Sequence, residues 1–574
     1  MLLIMWTLAP FVFSLGFLGS TIATDTSLHD VIARQNTRWK VGQVVQTSSG
    51  LVQGHASRNF SHVSEYLGVP YAQPPVGNLR FQPPVKFSGT KAINASSYGP
   101  SCMASTTSGL VANASDYEKL GLSPTGLDLI LGLTTPRSDA SEDCLTLNIW
   151  TKPQVGEAKK AVLLFIYGGG YVSGSSAIPW YDGATLADED DVVVVTFNYR
   201  ISIFGFPGNP STSNNLGLLD HRLAVEWVRD NIGNFGGDPT RITLFGQSAG
   251  ASSVDYYSYA WAEDPIIHAF IPMSGTAIGF GQQTAENATI AWFNLTARLG
   301  CGGGSDNHGA VFKCMVEKPA QEVANAVPVN FITDSDNSLA YGPAIDEKVV
   351  FSDYYKRKPA ALPMLIGHTD FEAGLFRLLA PDFPDEIWTL VNQVAYVCPS
   401  AIRSAISLGL GNPTWRYRYF GDFPNLVLTN TPPSGAWHSG ELPLLFNTTL
   451  ASSGVVPDTP AQVEIGRYFR GAWATFAKDP VNGLTIYGWP QYSPNTSSLI
   501  RIAYNNQTGP NLAIGNLYDI DCPGLGSSAP DDLSSPNGTQ TGVPSPPPTA
   551  TSKARGLSAP IFLIIAITSV VILF

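Results

Sequence analysis

Three stretches of the chain are apolar almost without a break. Ala161-Val162-Leu163-Leu164-Phe165-Ile166-Tyr167 runs into three glycines, Asp191-Val192-Val193-Val194-Val195-Thr196-Phe197 follows, and Arg241-Ile242-Thr243-Leu244-Phe245 comes third. Runs of this length bounded by turn residues predict strands buried on both faces, the condition of a parallel sheet. Between the second and third, residues 218–231 carry Leu219, Leu223, Val225, Trp227 and Val228 at a helix-like spacing. Strand, helix, strand is the repeating unit of an α/β fold. Pro363–Gly367 and Trp415–Tyr419 predict later strands, and the alternation of Val, Gln and Leu with Gly from Val41 predicts an antiparallel edge hairpin. No internal repeat is visible. The pattern predicts one large α/β domain over residues 41–525, with a central, mostly parallel sheet flanked by helices.

The two ends depart from this pattern. Leu2–Leu18 is nearly all apolar and gives way to Gly19-Ser20-Thr21-Ile22-Ala23. That reads as a signal peptide over residues 1–23, cut after Ala23; the run is short for a membrane-spanning anchor. At the far end, a Pro/Ser/Thr-rich stalk over 526–560 precedes an apolar tail over 561–574. Spacer, small residues and terminal apolar tail form the pattern of a GPI-attachment signal, with the attachment site among Thr549–Ser552. A plain tail anchor is the alternative. The expectation is a secreted or cell-surface protein.

Composition narrows the class. Hydrophobic residues make up 44% of 574 and charged residues 14%, so the bulk is globular. A net charge of -12 argues against a nucleic-acid partner, which needs a basic face. Cysteines stand at 102, 144, 301, 314, 398 and 522. Cys301 and Cys314 flank a Gly-rich loop holding His308; the spacing is wrong for zinc, and a disulfide suits an exported chain better. Asn-x-Ser/Thr sequons at Asn59, Asn94, Asn113, Asn287, Asn294, Asn447, Asn495, Asn506 and Asn537 predict a glycosylated surface.

The chemistry centres on Gly246-Gln247-Ser248-Ala249-Gly250, directly after the third apolar run. A Gly-x-Ser-x-Gly places the serine on a sharp strand-to-helix turn with its hydroxyl exposed, as in α/β-hydrolases. A chain this long would match by chance on the order of 0.2 times, so context carries the reading. Tyr167-Gly168-Gly169-Gly170-Tyr171 ends the first run, and bare backbone N–H groups there could face an oxyanion together with the N–H of Ala249. A serine nucleophile needs a base, and the base an orienting acid, in the chain order Ser, Asp/Glu, His. His308, His368 and His438 follow at sufficient distance; position and a turn-like loop favour His438.

The text resembles the type-B carboxylesterase and cholinesterase family, especially its fungal esterase and lipase members, from about Gly50 to Cys522. The similarity rests on Glu142-Asp143-Cys144-Leu145-Thr146-Leu147-Asn148-Ile149, on Asn198-Tyr199-Arg200, on Phe235-Gly236-Gly237-Asp238-Pro239 and on Gly68-Val69-Pro70-Tyr71-Ala72. It implies an α/β-hydrolase fold, Ser248 as nucleophile, Glu372 as acid and His438 as base. It also implies an oxyanion hole of the Gly169, Gly170 and Ala249 N–H groups, disulfides Cys102–Cys144, Cys301–Cys314 and Cys398–Cys522, and a supporting role for Ser274. No metal or organic cofactor is called for. Ala373 intervenes between Glu372 and Gly374, so Asp370 stands as a rival acid.

Two departures bear on substrate. Gln247 stands where cholinesterases carry Glu, and the segment between Cys102 and Cys144 has no Trp to hold a quaternary ammonium. Choline esters are therefore not the expected substrate. The resemblance implies a carboxylic-ester hydrolase working through an acyl-enzyme on short- to medium-chain or lipid-like esters. One alternative is a lipase acting on long-chain acylglycerols at an interface, with the segment between Cys102 and Cys144 as a mobile flap or a fixed wall and its stretch Gly126–Leu133 apolar enough to meet lipid. The other is a catalytically silent adhesion protein, which would have lost the serine that this chain keeps.

Overall fold

Side chains with no use for water at any position of a strand must be covered on both faces, and the apolar runs meet that demand as central strands. The computed structural model describes residues 39–104, 121–134, 139–153, 159–279, 282–328, 341–378, 383–449, 456–519 and 522. The expected signal peptide, stalk, tail and attachment site lie outside them, as do Asn113 and Asn537. In chain order the strands are β1 (Val44–Thr47), β2 (Gly50–Gln53), β3 (His55–Ala56), β4 (Ser64–Pro70), β5 (Ile93–Asn94), β6 (Thr146–Thr151), β7 (Lys160–Ile166), β8 (Val193–Phe197), β9 (Gly237–Gln247), β10 (Ala269–Met273), β11 (Met364–Thr369), β12 (Thr414–Tyr419), β13 (Ser497–Ile502) and β14 (Ala513–Ile514). The helices used below are α1 (Pro124–Thr134), α2 (Leu216–Asn231), α3 (Ala249–Ala260), α4 (Ala285–Arg298), α5 (His308–Glu317), α6 (Asp385–Asn392), α7 (Cys398–Gly409), α8 (Leu442–Phe446) and α9 (Pro460–Lys478).

Eleven strands form one sheet in the order β14-β13-β12-β11-β10-β9-β7-β8-β6-β4-β3. From β8 to β13 every neighbouring pair is parallel. Antiparallel pairs close both edges, β3, β4 and β6 on one side and β14 on the other. The expected hairpin is β1 with β2, antiparallel from Val44↔Gln53 to Thr47↔Gly50, and it forms a small separate sheet with β5. Every residue of β7 and β8 is buried. The sheet order turns at β7: β8 lies on one side, and the chain crosses through α2 to β9 on the other. In open α/β sheets such a switch point leaves a crevice at the carboxyl ends of the strands.

On one face of the sheet, two periods meet. In β12, Trp415, Tyr417 and Tyr419 alternate with Arg416 and Arg418. The aromatic residues meet Phe476, Trp473 and Phe469 of α9 at ring distances of 5.8, 5.2 and 6.0 Å. Steps of two along a strand thus match steps of three and four along a helix. The arginines face away: Arg416 grips Asp519, and Arg418 pairs with Asp370 at 2.7 Å. A capping box at Thr459 and Gln462 with Pro460 behind it fixes where α9 starts. The Arg200–Asp220 pair, 2.7 Å apart and buried, ties the end of β8 to α2.

The elements differ from expectation in detail. β8 starts at Val193, because Asp191 at φ 52° is outside the extended range of a strand. β9 reaches back to Gly237, which pairs with Lys160 at the start of β7. His308 was expected inside a loop; instead Asn307 caps the Ala310 N–H and His308 opens helix α5. The three disulfides join Cys102 to Cys144, Cys301 to Cys314 and Cys398 to Cys522, the pairings that the resemblance implies.

Candidate active site

Ser248 stands alone between β9 and α3, at φ 59° and ψ -127°. A non-glycine residue there costs about 1–3 kcal/mol and persists only where its surroundings hold it. Here they do. The Ser248 N–H donates to Met273 O at 2.9 Å, and Ser248 O accepts from the Ser252 N–H at 3.0 Å. The flanking glycines are required by space: a Cβ on Gly250 would lie 2.0 Å from Ile166 O, and one on Gly246 2.5 Å from Gly250 O. The turn is therefore pressed against the end of β7, and Ser248 itself is half-buried.

The glycine loop lies beside it. A Cβ on Gly168 would come within 2.7 Å of Ser248 Cβ. Gly169 has φ 109°, which only glycine adopts without strain, and Gly169 and Gly170 are exposed. Among the described residues no hydrogen bond takes up the N–H groups of Gly169, Gly170 or Ala249. Aromatic side chains clamp both ends of the loop. Tyr199 Oη donates to Tyr167 O at 2.9 Å, with the two rings stacked at 4.6 Å. Beyond the glycines, Tyr171 Oη meets Ser253 Oγ of α3 at 3.1 Å.

His438 comes from the loop before α8, and Glu372 from the turn after β11. His438 Nδ1 is 2.5 Å from Glu372 Oε2, both residues being buried. The loops that carry them are laced together. The Phe371 N–H donates to Ala436 O at 3.0 Å, and a Cβ on Gly374 would lie 2.1 Å from Ser434 O. The other Glu372 oxygen accepts from the Thr369 N–H at 2.7 Å, and the Glu372 N–H donates to Asn392 Oδ1 at 2.8 Å. Phe376 and Tyr396 flank the imidazole at ring distances of 4.8 and 5.3 Å. His438 Nε2 faces Gln247, the residue before the serine, at 3.2 Å.

The other sequence candidates lie differently. Asp370 is engaged by Arg418 and not by a histidine. His368 is buried with Nδ1 2.7 Å from Thr369 O; burial and the Arg418 and Arg416 charges hold its pKa well below the usual histidine range. His308 meets Gly304 O at the surface. Ser274 lies behind the elbow at φ 60°, with its N–H on Gly367 O and a buried Oγ that has no partner among the described residues. Sequence reasoning missed Asn392, the Tyr199 and Tyr171 clamps, and Glu441. Glu441 is fully buried three residues after His438, with neither carboxyl oxygen bonded to another side chain among the described residues; burial and the nearby Glu372 charge push its pKa well above the usual range. Nothing local in the sequence marks these residues, because each acts across the fold.

The model of the carboxylesterase family matches residues 41–395. A chlorogenic acid esterase of Aspergillus niger is 34% identical over 512 residues, covering 83% of this chain and 94% of that protein. Secreted lipase 5 of Gibberella zeae is 31% identical, covering 83% and 93%. A mouse cholinesterase is 35% identical over a shorter stretch, 53% of this chain and 48% of that one. Among solved structures, a thermophilic PNB esterase aligns with a TM-score of 0.64 at 25% identity, covering 80% of this chain and 96% of that one.

Proposed function

The chain belongs to the carboxylesterase family and is a carboxylic-ester hydrolase, and from that premise we propose that Ser248, His438 and Glu372 carry the reaction through an acyl-enzyme. Ser248 Oγ attacks the ester carbonyl carbon as its proton passes to His438 Nε2. The bond to the alcohol oxygen breaks, and the alcohol leaves with that proton. Water then attacks the acyl-enzyme, giving a proton to His438; the acid departs and Ser248 recovers its hydroxyl. Glu372 holds the ring through Nδ1, and the N–H groups of Gly169, Gly170 and Ala249 receive the oxyanion.

The observation that supports this reading is the His438–Glu372 bond, joined through Gln247 to the serine elbow, together with three N–H groups near the elbow that have no partner among the described residues. Neutral esters of short to medium chain are the proposed substrates, since Gln247 brings no negative charge for a choline headgroup. The lipase reading draws on α1, which buries Leu129 and Ile130 but leaves Leu131 exposed. The α1 end is fastened: Ser123 bonds Leu428 O and Val427 O, and a Cβ on Gly126 would lie 2.2 Å from Leu428 O. That favours a fixed wall over a flap. The secreted relative and the apolar leader support export, and the C-terminal pattern supports a GPI-linked form.

The test is Ser248→Ala in purified, folded protein, with an expected loss of at least about a thousandfold in kcat. An organophosphonate should label the peptide carrying Ser248 in the parent enzyme and leave the variant unlabelled; label on another serine overturns the assignment. A panel of p-nitrophenyl esters from short to long chain, chlorogenic acid and butyrylthiocholine, with and without an emulsion, ranks the substrate classes.

A further inference from the structure

Gln247 lies one residue before the nucleophile and is only 2% exposed. Its carboxamide spans the two halves of the site. The nitrogen is 3.2 Å from His438 Nε2. The oxygen lies on the side of the glycine loop, where a Cβ on Gly168 would come within 3.1 Å of it.

The direction of the Gln247–His438 bond follows from the other ring nitrogen. Nδ1 is 2.5 Å from a Glu372 oxygen, so in the neutral ring Nδ1 carries the hydrogen and Nε2 the lone pair. An amide N–H must then be the donor to Nε2. The opposite amide orientation would put an oxygen against that lone pair, and reversing the tautomer as well would put the Nδ1 lone pair against a carboxylate. The nitrogen that has to take the Ser248 proton is thus already occupied by Gln247.

We propose that Gln247 is a positioning residue: it holds His438 as the free base in the resting enzyme and releases Nε2 when an ester enters. As the Ser248 proton arrives, the imidazolium presents an N–H at Nε2. Rotation of the carboxamide then offers the Gln247 oxygen as its acceptor, so one side chain serves both protonation states. This rests on the Ser248 and His438 roles proposed above. The titratable groups packed around the His438–Glu372 pair are Tyr396 from the segment after α6, Tyr417 from β12 and Glu441 ahead of α8. Burial pushes the pKa of all three upward, and Arg418 is committed to Asp370. Glu372 faces Nδ1, and residue 247 sets what faces the other nitrogen.

Two near-isosteric variants test this. Gln247→Glu places a carboxylate against Nε2, which favours the imidazolium. The acid limb of its kcat/KM profile for p-nitrophenyl acetate should move up by about one pH unit or more, with the rate recovering at alkaline pH. Gln247→Met removes donor and acceptor alike; kcat should fall on the order of tenfold with KM within about threefold, and alkali should not restore it. Organophosphonate labelling of the Ser248 peptide at pH 9 reads the nucleophile separately. Labelled Gln247→Glu with an unmoved acid limb, or labelled Gln247→Met with parental kcat, overturns the role of Gln247 and leaves the triad standing. Absence of Ser248 labelling in the parent enzyme overturns the triad itself. Matching thermal melts of both variants and parent distinguish a site effect from misfolding.

Discussion

Two carboxylates stand two residues apart at the end of β11, and each has its own partner. Asp370 takes Arg418 and Glu372 takes His438. If Glu372 orients the base, Glu372→Gln should lower kcat by about a thousandfold or more, because an amide cannot hold Nδ1–H with the same charge. Asp370→Asn should leave kcat within about tenfold and lower thermal stability instead, since it weakens an ion pair at the carboxyl ends of β11 and β12. Kinetics and melting curves of the pair separate the two; equal losses in kcat would remove Glu372 from its role. Glu441 adds a pH term. Its pKa is raised in the fold, so the stability it contributes is fully present below the unfolded value and is lost as pH rises toward the folded one. Glu441→Gln should therefore match the parent's urea midpoint near pH 4 and exceed it at pH 8. A variant weaker than the parent at pH 8 would show that the buried carboxyl is ionised and paired.

At the scale of elements, the glycine loop is held by neighbours from two other elements. Tyr199 follows β8 and bonds the carbonyl just before the glycines, and Ser253 of α3 receives Tyr171 just after them. Tyr199→Phe keeps the stacked rings and removes one donor, leaving a buried carbonyl unsatisfied at a cost of about 1–3 kcal/mol. If that loop receives the oxyanion as proposed, kcat should fall with little change in KM, and a trifluoromethyl ketone inhibitor should bind more weakly. Unchanged kcat in a variant of lowered melting temperature would make the clamp purely structural. The strands around this loop were legible in the sequence for a physical reason: burial on both faces leaves an unbroken apolar run. The start of α5 was not, because the signal lay in one capping side chain, Asn307, within a stretch whose glycines and cysteines read as loop.

The whole molecule turns seven described sequon asparagines outward: Asn59, Asn94, Asn287, Asn294, Asn447, Asn495 and Asn506 are all exposed. Protein secreted by its host should shift down on treatment with a peptide:N-glycosidase. If the GPI proposal holds, a phosphatidylinositol-specific phospholipase should free activity from cells, and the mature chain should lack residues 561–574 by mass spectrometry. Retention of that tail would refute the anchor. By itself the sequence determined the strand–helix–strand order, the serine elbow, the triple glycine and the three disulfide pairs through family likeness, because these depend on neighbours in the chain or on motifs kept whole. Only the tertiary structure decided which carboxylate meets His438. It did so by lacing the Glu372 turn to the Ala436 loop, across a separation that no local pattern spans. It also decided that Gln247 lies against His438 Nε2 and that Glu441 is buried three residues after His438. Such contacts depend on the few ångströms between loops at the ends of strands, and those distances are set by packing across the sheet.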